Sequence, residues 1–167
     1  MKEIPKIKLE LTANDKVLEI VGWISLFAIW SLTIVNYNSL PDIIPIHYNA
    51  AGEADGFGGK ANILTLPLIS TILFVGLTIL NKFPHILNYP TIITKENAQR
   101  QYTIATKLIR YLKFIIVITV GFISFRTIQN AHGKADGLGS WFTPLFLVLV
   151  LFPLLIFIVK SVNERRE

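Results

Sequence analysis

The chain has 167 residues, 52% of them hydrophobic and 16% charged, with a mean hydropathy of +0.54 and a formal net charge of +5. A soluble domain carries about 25% charged residues and has no means of hiding so much apolar surface. The balance excludes an ordinary soluble enzyme and a disordered chain. Direct nucleic-acid binding is excluded as well, because the basic residues flank apolar runs instead of forming a stripe.

In chain order, a basic tail (Lys2, Lys6, Lys8, Lys16) precedes Ile20 to Pro41, a long run without a charge. No small-x-small cleavage frame follows, so this run reads as a retained helix and not a removed leader. Ala61 to Asn81 and Leu138 to Val159 are further uncharged runs of similar length. Roughly 20 apolar residues span the hydrocarbon, so each is a transmembrane helix. The stretch between Lys113 and Arg126 is uncharged but much shorter. A third span over Leu108 to Ile128 still works if Arg110 and Lys113 snorkel to one interface and Arg126 to the other.

The expected architecture is all-α: one membrane domain over 1–167, built as a four-helix bundle of two hairpins, 17–81 and 108–160. The hairpin loops are 38–60 and 129–140, and 82–107 is a cytoplasmic segment. Thr94 is a reasonable N-cap there, and no Gly or Pro occurs from Lys95 until Gly121. One helix is therefore expected to run from the cytosol to Ile128, about 50 Å. Arg100, Lys107 and Arg110 fall on one face of it, suited to anionic lipid or a cytosolic partner. Gly22, Gly76, Gly121, Pro67, Pro144 and Pro153 read as close packing and local kinks. No span has an ionisable group at its middle, which disfavours a pump or secondary transporter.

Orientation follows from charge. Thirteen of the sixteen Lys and Arg lie in the two tails and the middle segment; only Lys60, Arg126 and Lys134 lie on the other side. Both termini are expected in the cytoplasm and both loops outside.

Seven of the ten glycines fall in the two outer loops. Ala50 to Gly59 in the first and Ala131 to Ser140 in the second share the frame Ala-x-Gly-x-Ala-Asp-Gly-x-Gly. Asp-Gly is a turn dipeptide, so two similar turns, a duplication and a shared composite site are all open readings. In the last, Asp55 and Asp136 come together and are neutralised by Lys or Arg, with Lys60, Arg126 and Lys134 available.

The first loop is richer than a turn requires. Pro41 and Pro45 stiffen it, and Asp42, Glu53 and Asp55 make it acidic. His47 and Asn49, two apart, point to one side of an extended chain. His47, Glu53 and Asp55 are nitrogen and oxygen ligands of the kind a divalent ion takes, although one histidine with scattered carboxylates is a sparse ligand set. Hydrogen bonding or partner recognition are the other readings of His47. Lys60 pairs with Asp55 or sits among head groups.

Leu40-Pro41-Asp42-Ile43-Ile44-Pro45-Ile46-His47-Tyr48-Asn49, then Gly52, Asp55 and Gly58-Gly59-Lys60, resembles the signature of a bacterial membrane domain of unknown function. That domain occurs in the SdpI (sporulation-delaying-protein immunity) family. Tyr48 replaces the usual Phe, and the resemblance covers the signature loop with the helix on either side of it. Asn88 to Tyr102 also resembles members of that group. The resemblance implies a bacterial inner-membrane protein that senses or neutralises a peptide toxin, and in that family the immunity protein also draws a repressor to the membrane. The immunity protein itself is longer, with more helices.

Three functions compete. One is an immunity-like protein that binds an extracytoplasmic peptide or membrane protein through Pro45, His47, Asn49, Glu53, Asp55, Lys60 and Asp136. The second is a metal-dependent membrane enzyme using His47, Glu53 and Asp55, with His132 and Asp136 from the other loop. The third is an accessory subunit of a larger complex. With no cysteine, no serine-based frame and no phosphate-binding loop, no cofactor is expected.

Overall fold

The computed structural model describes residues 5–163. Lys2, Arg165 and Arg166 of the basic tails lie outside the described residues. Helix α1 (Ala13–Tyr37) leads into strands β1 (Ile43–Tyr48) and β2 (Ala54–Gly59). A 3-10 turn over Lys60–Leu64 runs into α2 (Thr65–Leu80), and a second over Pro84–Ile86 precedes α3 (Ala98–Ala131) and α4 (Phe142–Asn163). The protein is thus mostly helical, and four helical stretches are long and apolar enough to cross a membrane. It is a multi-pass membrane protein.

Helix starts follow local chemistry. Thr12 caps α1 in a reciprocal capping box with Asp15. Ahead of α3, the Thr94 amide donates to Asn97 Oδ1 at 2.8 Å while the Asn97 amide donates to Thr94 Oγ1 at 3.4 Å. The Ala98 amide then donates to the Thr94 carbonyl at 3.0 Å, which closes a turn ahead of the helix, so Asn97 and not the expected Thr94 is the N-cap. From Ala98, α3 continues unbroken for 34 residues.

Helix α3 is the central element, packed against α1, α2, α4 and β1. A small apolar core of Leu26, Ile29, Phe74 and Val117 joins the first three helices, with Trp30 alongside. Gly22 is a packing glycine: a Cβ there would lie 2.6 Å from the Phe74 ring. Gly76 faces open space. Trp30 Nε1 donates to Thr71 Oγ1 at 3.0 Å, a bond between α1 and α2 of the kind that joins helices in lipid. Pro67 and Pro144 stand in the first turns of α2 and α4, where no backbone donor is lost. Helix α4 packs chiefly on α3, and the apolar window of α4 has no residue buried inside the protein.

The snorkelling expected of Arg110 and Lys113 does not occur. They are 6% and 1% exposed and turn inward to α1. Arg110 reaches Asp15 at 3.3 Å and Glu19 at 3.4 Å, and Lys113 reaches Glu19 at 2.5 Å. Lys113 also donates to Thr78 Oγ1 at 2.7 Å and lies 4.4 Å above the Phe74 ring. Two cations meeting two carboxylates inside the bundle need not reach water, which is why the shorter route inward wins.

Candidate functional site

Leu40 and Ile44 anchor the first loop by packing with Ile63 and Ile128. Between these anchors and α2 the chain turns back as a two-stranded antiparallel hairpin. Ile43 pairs with Gly59, Ile44 with Gly58 and Pro45 with Phe57; the register then shifts, pairing His47 with Gly56 and Tyr48 with Ala54. The first shift follows Pro45, which has no N–H to give the ladder, and leaves Ile46 as an extra residue of β1; a second, between His47 and Tyr48, leaves Asp55 as an extra residue of β2. Gly56 makes room opposite His47, because a Cβ there would lie 2.9 Å from His47 Cβ.

The expected acidic cluster separates into three local pairs. His47 Nδ1 meets Asp55 Oδ1 at 2.5 Å, with side chains 70% and 44% exposed. Asn49 Nδ2 donates to Glu53 Oε2 at 2.9 Å, and Asn49 Oδ1 accepts from the Ala51 and Glu53 amides at 2.9 and 3.0 Å. Asn49 therefore organises the turn, while His47 serves a different contact. Lys60 pairs at 3.2 Å with Asp42, not with Asp55, and ties the start of β1 to the start of the next helix. Among the described residues no three His, Asp or Glu side chains are grouped to hold a metal ion.

Tyr48 fastens the hairpin to α3. Its hydroxyl lies 2.9 Å from Thr127 Oγ1 and accepts from Asn130 Nδ2 at 3.0 Å. The second loop closes on the first through the main chain: the Leu138 amide donates to the Gly52 carbonyl at 2.6 Å. Gly52 (φ +81°) and Gly137 (φ +66°) both need the left-handed region, and a Cβ on Gly52 would stand 2.6 Å from the Gly139 carbonyl oxygen. His132 Nε2 lies 3.0 Å from the Ser39 carbonyl oxygen.

The two decapeptides do meet, but not as equivalents. Gly52 and Gly133 share a positive φ, whereas Gly56 and Gly58 lie in a strand and their counterparts Gly137 and Gly139 are left-handed. The neutralised Asp55–Asp136 pair is corrected too. Asp55 is held by His47, and Arg126 donates to the Gly137 carbonyl from Nε at 2.8 Å and from a terminal nitrogen at 2.6 Å. A guanidinium occupied by main-chain carbonyls fixes the loop backbone, not a carboxylate.

A cavity of about 390 Å³ opens between the hairpin and the adjoining ends of α2 and α3. Residues 45–48 form one wall, Ile63, Thr65 and Leu66 another, and Ile123 and Thr127 the third. Of the residues singled out from sequence, Pro45 and His47 line it; Asn49, Glu53, Asp55, Lys60 and Asp136 do not. Ile46 of that wall is also half exposed, and outside the cavity the hairpin exposes Ile43 and Phe57. Ile46, Phe57 and the α3 wall carry no chemical signature in sequence; only the fold brings them to one place.

Residues 24–71 match the family described as Domain of unknown function (DUF1648). The chain is also similar to an uncharacterized protein of Archaeoglobus fulgidus, 25% identical over 160 residues, which cover 88% of this chain and 87% of that relative. No solved structure matches. The stretch matched by the family takes in part of α1, the whole hairpin and the start of α2. It leaves out Ile123, Thr127 and the second loop, which complete the cavity and brace the hairpin.

Proposed function

We propose that the hairpin end of this membrane protein binds an extended segment of a peptide or protein partner, as an immunity-like or signal-receiving protein does. In this reading the hairpin faces outward from a bacterial inner membrane and both termini lie in the cytoplasm. The observation that carries it is the cavity beneath a strand pair whose members have no other strand beside them among the described residues. Free strand edges accept an added strand through main-chain hydrogen bonds, and a pocket below them selects a side chain. A volume of about 390 Å³ falls within the range of ligand pockets. Exposed Ile46 and Phe57 supply apolar contact area, and the Gly-rich β2 lets another backbone approach. The bracing by Tyr48, Arg126 and Leu138 supports binding, since a site ordered in advance loses less entropy when occupied.

Photo-crosslinking residues placed singly at Ile46, Phe57 and Phe152 test this in cells. Adducts with a peptide or protein are expected at Ile46 and Phe57 but not at Phe152 on α4. The same adduct pattern at all three positions, or none at the hairpin, overturns the reading.

A further inference from the structure

A second and larger cavity, about 570 Å³, lies at the opposite end of the bundle. It is walled by Ile7, Lys8 and Leu9 ahead of α1, by Asn81 and Lys82 after α2, and by Arg110 of α3, with Glu19 also lining it. Glu19 is already committed to Lys113 and Arg110, and Asp15 to Arg110, so these four charges balance among themselves. Lys8 and Lys82 are exposed at the same cavity, and neither forms an ion pair with a described residue. The surplus charge there is positive.

Two buried polar atoms of the lining lack a hydrogen-bond partner among the described residues: Arg110 Nε, a donor, and Asn81 Oδ1, an acceptor. Arg110 Nε has the Glu19 carboxylate beside it at 3.4 Å, which leaves Asn81 Oδ1 as the atom with nothing to meet. Asn81 has no freedom to exchange its roles, because its Nδ2 donates to the Thr106 carbonyl at 3.1 Å. An unsatisfied buried group of this kind carries a desolvation penalty until a ligand meets it. Ile7, Leu9 and Leu11 supply an apolar margin to the same space. A complementary ligand has a negative charge, a hydroxyl to donate and an apolar portion.

We propose that this cavity binds a phosphodiester bearing free hydroxyls, with Lys8 and Lys82 on the phosphate and Asn81 Oδ1 accepting from a hydroxyl. Its place at the ends of membrane-spanning helices makes an anionic glycerol-headgroup lipid the natural source. Soluble glycerophosphoglycerol, the same diester without acyl chains, offers the same groups.

Native mass spectrometry of the full chain, supplied equally with phosphatidylglycerol, phosphatidylmethanol and phosphatidylcholine, separates these terms. Phosphatidylmethanol keeps the charge but not the hydroxyls. Phosphatidylglycerol should be retained over both others, and a K8Q/K82Q double variant should lose about thirtyfold of that retention, roughly fivefold for each lysine. Both positions are exposed, so the variant keeps the bundle intact. If instead the lipids are retained equally while glycerophosphoglycerol raises the melting temperature of the wild type and not of the variant, the same site takes the soluble ligand. Equal lipid retention with no response to glycerophosphoglycerol, or a variant that behaves as the wild type in both arms, overturns the site.

Discussion

Glu19 and Lys113 meet at 2.5 Å across the contact between α1 and α3, and each makes the other tolerable. Removing one partner of a buried pair leaves an uncompensated charge, at a cost of about 3–5 kcal/mol. Glu19→Gln should therefore lower the thermal unfolding temperature in detergent sharply, and adding Lys113→Met should restore most of the loss. A double variant as unstable as the single one would show that packing, not charge, is at stake. Lys113 could be seen in the sequence, but its partner lies far back in α1, and a cation near a helix end reads equally well as snorkelling. The signature residues His47 and Asn49 were legible as special, while the contacts that occupy them were not, because a bulge changes which way each side chain points. At Tyr89 the hydroxyl donates to the Pro84 carbonyl at 2.9 Å, and burial pushes its pKa up, with Tyr102 alongside adding to the shift. Stability from a raised phenol pKa is complete below about pH 10 and is lost as pH climbs from there through the folded-state value. Tyr89→Phe should accordingly flatten the alkaline fall in stability, read as unfolding temperature against pH.

Among the elements, the α1–α2 contact and the loop junction each turn on a missing Cβ. Gly22→Ala would press a methyl against the fully buried Phe74 ring, at a cost of about 1–3 kcal/mol, whereas Gly76→Ala meets nothing and should be neutral or mildly stabilising. Equal effects on unfolding temperature would contradict this packing. Gly52→Ala places a side chain both at positive φ and against Gly139, so the loops must part. Faster hydrogen exchange at the Leu138 amide is the expected sign; unchanged protection would mean that the junction does not hold the loops. The spans were readable because length and hydropathy suffice for them. The hairpin was not, since Pro45 and the run Gly56-Phe57-Gly58-Gly59 have poor strand propensity, and the strands form because Leu40 and Ile44 are anchored on Ile63 and Ile128.

For the whole molecule, the excess of Lys and Arg at the end bearing the termini sets the expected orientation. Single cysteines at Ser39 and Ser140 should react with a membrane-impermeant reagent in intact cells, and one at Asn97 should not. Labelling at Asn97 alone would reverse the topology and turn the hairpin inward. The division of labour is itself a whole-chain property. Helix α3 joins a cavity at one end to a cavity at the other, contributing Thr127 to the first and Arg110 to the second. Neither cavity could be read from the chain, because each draws its walls from segments far apart.

The ion network spanning α1 and α3 also bears on how the protein is made. Synthesis delivers the N-terminal segments first. Helix α1 thus reaches the bilayer carrying Asp15 and Glu19 well before Arg110 and Lys113 have left the ribosome. Until then those carboxylates have no cation of α3 to meet, and the first hairpin is an unfinished circuit. Arrival of α3 closes it and commits the bundle, with α4 added at the outside. A chain ending after α2 should be degraded faster in cells than one ending after α3, which makes the third helix a built-in checkpoint of biogenesis.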